Sequence, residues 1–170
     1  MSVLTILEYP HPVLSQNTAP VTEFNAELQT LIDDMIEPMY NNHGGGLAAN
    51  QVGIQKRLFV MDASSDRSQL MVFINPEIIE RGGEVNVEEG CLSFPGVSAK
   101  VKRACYIKVR AQDREGNAFE REFDDGCYEA RCVQHESDHL DGVTFFDYLK
   151  PLKRQMMEKK LEKAKKARAM

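Results

Sequence analysis

The stretch His135-Glu136-Ser137-Asp138-His139 constrains this chain more than any other. Residues four apart on a helix stand one above the other, so both imidazoles can reach one metal ion from a single helical face. Glu136 is turned by about 100° from His135 and can address a water at such an ion. A fold that uses the pair must bring a third ligand to that helix from elsewhere, because two histidines do not complete a catalytic site. The competing reading is a chance spacing on a solvated helix.

The segments around it set the fold class. The helix that carries the pair reads as 127–140, stopped by Gly142. An earlier helix reads as 25–42, where Leu28, Leu31, Ile32, Met35, Met39 and Tyr40 approximate one face. Pro38 lies inside that pattern and predicts a kink or a new start. Strand-like stretches follow at 57–62, 70–75, 78–81, 104–111 and 119–123, separated by turn signals at 66–68, 82–83 and 115–117. A last helix begins near Pro151 and runs on through Leu152, Met156 and Leu161. Helices and strands do not alternate regularly, which predicts an α+β fold. At 170 residues the chain suits one domain with its own core, a body at 1–149 extended by a basic helix at 150–170.

Charge and cysteine usage narrow the functional classes. Residues 150–170 sum to +7 and the remainder to −12. An acidic body with a basic tail predicts a polyanionic partner for the tail and argues against a DNA-coating protein. The longest apolar run, 70–74, is far too short for a membrane span. No basic leader with an apolar core opens the chain, so a cytoplasmic protein with reduced thiols is expected.

Four cysteines compete for attention. Cys91 sits in Glu89-Gly90-Cys91-Leu92-Ser93, and taken alone it reads as a packed thiol. Cys105 reads the same way, inside its strand. Cys127 and Cys132 are five apart on the expected helix, a spacing that does not suit a shared ion. Cys132, three residues before His135, is expected to pack near the site without binding metal. No histidine follows His139 to serve as the third ligand of a helix-borne peptidase site. The segment Gly44-Gly45-Gly46-Leu47-Ala48-Ala49-Asn50-Gln51 reads alone as a turn after a helix, with glycines that permit close backbone approach and an amide donor in Gln51.

Taken together, three segments resemble the bacterial peptide deformylases: residues 44–51, residues 89–93, and Gln134-His135-Glu136-Ser137-Asp138-His139-Leu140. The resemblance spans nearly the whole chain and includes the C-terminal helix of Gram-negative-type members. It implies antiparallel sheets around a central metal-binding helix. It also implies removal of the formyl group from the formyl-methionine of nascent polypeptides, with release of formate. By the same resemblance Cys91, His135 and His139 bind Fe²⁺, which Zn²⁺, Ni²⁺ or Co²⁺ can replace. Glu136 is then the general acid/base, and Gln51 and the Leu92 backbone N–H stabilise the oxyanion, a task worth several kcal/mol. Gly45, Gly46 and Gly90 fall in the substrate-binding segments. The +7 charge of 150–170 on an interrupted apolar stripe predicts that the basic helix docks on the ribosome near the exit tunnel, the alternative being a helix packed on the domain with a solvated basic face. Deleting 154–170 is then expected to spare turnover on short peptides.

One departure carries an expectation of its own. The family places a branched aliphatic residue where this chain has Gly45. A looser methionine pocket follows, with a raised KM that Gly45→Ile would repair unless neighbouring side chains already fill the vacated space. The departure also keeps open a second reading, a deformylase-like paralogue of altered specificity or weak activity acting as a ribosome-associated module. Arg131, one helical turn before His135, either faces the pocket or pairs with Glu129 or Asp125.

Overall fold

The computed structural model describes residues 4–124 and 128–169, so Cys127 and Asp125 lie outside the described residues. A five-stranded antiparallel sheet in the order β1-β2-β3-β6-β7 forms its centre. The strands are β1 Gly46–Ala48, β2 Leu58–Met61, β3 Met71–Gly82, β6 Tyr106–Gln112 and β7 Ala118–Phe123. A two-stranded antiparallel sheet pairs β4, Val85–Glu89, with β5, Ala99–Arg103. The α-helices among the described residues are α1 Ala26–Asn41, α2 Tyr128–Leu140 and α3 Pro151–Ala169.

The sheet is covered on both faces, and the sequence of β2 shows why. Leu58-Phe59-Val60-Met61 is buried throughout, since successive side chains point to opposite faces and both faces meet a helix. Leu58 and Val60 join Leu28, Ile32, Met35 and Met39 of α1. Phe59 and Met61 turn the other way, toward Ala130, Val133 and Leu140 of α2. Phe59 stacks on Phe73 of β3 at 4.8 Å between ring centres. A third cluster gathers Val87 and Val101 of the small sheet, Phe94, Phe145 and Phe146, and Met157 and Leu161 of α3.

Several expectations need correction. α1 runs through Pro38 without a new start, because the proline sits in the last turn and removes one N–H bond close to the end. The stretches at 70–75 and 78–81 form one strand, β3, whose ladder is shifted between Ile74 and Glu77. Asn75 takes φ 52° at that shift. Its side chain accepts from the Val21 N–H at 2.8 Å and donates to the Val21 carbonyl at 2.9 Å. β1, β4 and β5 were not expected as strands. Cys105 lies in the turn between β5 and β6, half-buried, and not inside a strand.

The last helix turns a different face inward from the expected one. Met157 and Leu161 are buried, whereas Leu152 and Met156 are 72% and 49% exposed. Its far end is fastened to the opening segment: Lys165 Nζ donates to the Tyr9 carbonyl, and Arg168 grips both carboxylate oxygens of Glu8 at 3.2 and 3.1 Å. Among the described residues, no helix is long and apolar enough to cross a membrane.

Candidate metal centre

α2 carries His135, Glu136 and His139 into the interior, where all three are buried. Cys91 arrives from the turn after β4. Its Sγ lies 3.3 Å from His139 Nε2, and the two Nε2 atoms lie 3.2 Å apart. Tetrahedral sites with metal–nitrogen bonds near 2.0 Å and metal–sulfur bonds near 2.3 Å separate their ligands by about 3.3–3.6 Å. The three donor atoms, all within 4.8 Å of one another, therefore suit one small divalent ion. The resemblance-based triad is thus brought together, and Cys132 stands outside it.

Charged groups behind the site hold the first histidine in position. His135 Nδ1 faces a Glu89 carboxylate oxygen, which keeps the proton on Nδ1 and turns the Nε2 lone pair toward Cys91 and His139. Arg103 Nε donates to the other Glu89 oxygen at 2.9 Å, and Arg103 Nη1 to Asp138 at 2.6 Å. Tyr148 adds a hydroxyl to the same Asp138 oxygen at 2.7 Å. Burial alone would raise the Glu89 carboxyl, but hydrogen bonds from Arg103 and His135 prevail and hold it down at about 2. Burial also pushes the Glu136 carboxyl up, to about 7, with His135 opposing and Glu89 adding to the rise. A carboxylate near neutrality is suited to passing a proton in both directions. One of its oxygens, Oε1, is buried without a hydrogen-bond partner.

The remaining expected residues sit around this centre. Gln51 is 1% exposed, and its amide nitrogen donates to Ser93 Oγ at 3.0 Å and approaches Cys91 Sγ at 3.5 Å. Its carbonyl accepts from the Ala48 N–H at 2.9 Å, so the side chain is held from both ends. Gly46 passes so close to Glu136 that a β-carbon there would lie 2.8 Å from a carboxylate oxygen. Gly45, Gly46, Gly90 and Leu92 line one cavity of about 880 Å³ together with Cys91 and Glu136.

The cavity wall beside Gly45 speaks against a loose pocket. A β-carbon there would meet the Tyr128 hydroxyl at 2.6 Å and Cys132 Sγ at 3.2 Å, so these side chains already occupy the space. Burial pushes the Cys132 thiol up to about 12, helped by Glu136, so it stays protonated. Arg131 lines the same cavity, with its guanidinium 5.3 Å from the Tyr128 ring centre. Among the described residues it makes no ion pair, so pairing with Glu129 is not seen. Sequence reasoning missed Glu89, Arg103, Asp138, Ser93 and Tyr128. The available signal was the place of Glu89, Ser93 and Asp138 inside the motifs that carry Cys91 and the histidines.

The chain is similar to known proteins along nearly its whole length. Residues 3–155 match the model of the polypeptide deformylase family. Peptide deformylase 1 of Shewanella oneidensis is 54% identical over 166 residues, 98% of each chain. The crystal structure of a peptide deformylase from Legionella pneumophila is 44% identical, with a TM-score of 0.94 over 99% of this chain and 98% of that one. The peptide deformylase from Thermotoga maritima is 42% identical, with a TM-score of 0.83 over 89% of this chain and 100% of its own.

Proposed function

This chain belongs to the polypeptide deformylase family and removes the formyl group from the N-termini of nascent peptides, and we propose that Cys91, His135 and His139 hold its metal ion. The observation that carries the assignment is the convergence of one thiol sulfur and two Nε2 atoms beside a buried carboxylate. We further infer Fe²⁺ as the resident ion, with Zn²⁺, Ni²⁺ or Co²⁺ able to take its place. A soft thiolate with two imidazoles suits all of these ions, and the exposure of such a thiolate to oxygen chemistry makes the iron form fragile.

The bound ion supplies Lewis acidity toward water and toward the formyl oxygen. The chain's own groups carry the rest. Glu136 takes a proton from the attacking water as its oxygen bonds to the formyl carbon. It then returns that proton to the departing nitrogen as the C–N bond breaks, leaving formate and a free amine. The Gln51 amide and the Leu92 backbone N–H donate to the oxygen on which negative charge develops. Ser93 and the Ala48 N–H keep Gln51 from turning away. Glu89 holds the His135 tautomer, and Arg103 keeps Glu89 ionised. Anaerobic purification followed by metal analysis and a formate-release assay on formyl-Met peptides tests this reading. One equivalent of ion with formate release is expected, and a metal-free active enzyme would overturn it.

The same reading places the protein in the cytoplasm, working at the ribosome near the exit tunnel. What supports the docking role is the outer face of α3. Exposed Leu152 and Met156 lie among exposed Lys153, Lys159 and Lys160, a combination suited to a surface of RNA and protein. The complete ligand set favours a working catalyst over a ribosome-associated module of weak activity.

A further inference from the structure

The reaction leaves one cation in the substrate cavity without a task. Arg131 stands on α2 one turn before His135, so both side chains leave the same helical face. It lines the cavity that holds Cys91 and Glu136. Its Nε is shut off from water and finds no hydrogen-bond partner among the described residues. Arg168, the other arginine lining the cavity, is answered by Glu8. A buried donor without an acceptor is unfavourable, and an apolar side chain stacked on Tyr128 would avoid that cost. Glu8, Glu88, Glu89 and Glu136 share the wall, and of these Glu8 and Glu89 are already paired with arginines. Tyr128, beneath the guanidinium, is 50% exposed, so this end of the cavity opens to solvent. At about 880 Å³ the cavity has room for residues beyond the formylated one.

We propose that Arg131 is a specificity-determining residue that favours nascent formyl peptides with Asp or Glu directly after the formylated methionine. The inference rests on the deformylase reading. A planar guanidinium matches a carboxylate in charge and shape. Because the site is partly open, the selection falls with added salt.

The test compares kcat/KM for the amidated peptides formyl-Met-Glu-Ser, formyl-Met-Ala-Ser and formyl-Met-Lys-Ser. The protein as it stands should prefer Glu over Ala by roughly three- to tenfold at low salt, through KM and not kcat. Arg131→Gln should bring that ratio to about one or below, and Arg131→Lys should keep part of it. An equal ratio in the unaltered protein and in Arg131→Gln overturns the proposal, as does a ratio of one or less before any substitution. If Arg131→Gln does not fold, the unaltered protein decides: a Glu/Ala ratio that salt leaves unchanged is equally fatal. Failure to release formate from formyl-Met-Ala-Ser would instead strike the deformylase reading itself.

Discussion

The hydroxyl of Tyr128 stands 2.6 Å from the point where a β-carbon on Gly45 would lie. Glycine and tyrosine are therefore a matched pair across the cavity wall. Gly45→Ile should lower kcat/KM for formyl-Met peptides, since overpacking of this kind costs about 1–3 kcal/mol. Adding Tyr128→Leu to Gly45→Ile should recover most of the loss. A gain in kcat/KM from Gly45→Ile alone would show that the wall yields freely.

Cys91→Ala should abolish both stoichiometric metal binding and formate release, since its Sγ is one of only two kinds of donor converging at the site. Metal analysis of the purified variant, carried out beside the turnover assay, checks this. Full metal content with normal turnover would remove Cys91 from the ligand set.

Glu136→Gln should behave differently. The ion should stay in place, while turnover falls by roughly 10²- to 10⁴-fold, the usual contribution of a positioned acid/base. Near-normal turnover would mean that another group moves the proton.

Arg103→Met should destabilise the fold by about 3–5 kcal/mol, because it strands two carboxylates, Glu89 and Asp138, that the guanidinium now bridges. The pH dependence has a definite sign. Glu89 is held at about 2, below its ordinary 4.5, so its contribution is complete above the higher value and disappears as pH falls toward the lower. Without the guanidinium, burial raises that carboxyl, and the acid-side loss should begin at higher pH. Urea midpoints measured from about pH 7 to about pH 3 for both proteins test this.

Removing residues 154–170 should reduce thermal stability and turnover on short peptides, contrary to the expectation drawn from charge alone. Met157 and Leu161, each 2% exposed, belong to the cluster against which Cys91 packs. Charge reversal at Lys159 and Lys163, both exposed, leaves that cluster intact and is the cleaner probe of ribosome docking. It should weaken co-sedimentation in a salt-dependent manner. Unchanged co-sedimentation at low salt would dismiss the docking role.

What the sequence revealed followed from short-range rules. The i, i+4 histidines, the apolar face of α1 and the continuous apolar run of β2 depend on local spacing, and local spacing is visible in a chain. β4 and β5 do alternate, Val85, Val87 and Glu89 against Ala99, Val101 and Arg103. Their last inward positions carry a carboxylate and a guanidinium, which read as surface until the two meet. Tyr128 escaped notice for a related reason. Its partner Gly45 lies in a distant segment, and a glycine gives no indication of what occupies the space beside it. The inward face of α3 was misjudged because Leu152, Met156, Met157 and Leu161 offer two overlapping stripes, and only the aromatic cluster opposite selects one.

The grip of α3 on the aromatic cluster also sets an order of events in synthesis. Phe94, Phe145 and Phe146 leave the ribosome before Met157 and Leu161, the side chains that close over them. Cys91 therefore spends the interval beside an unfinished apolar surface. For each new copy, the aromatic cluster closes when α3 emerges and settles.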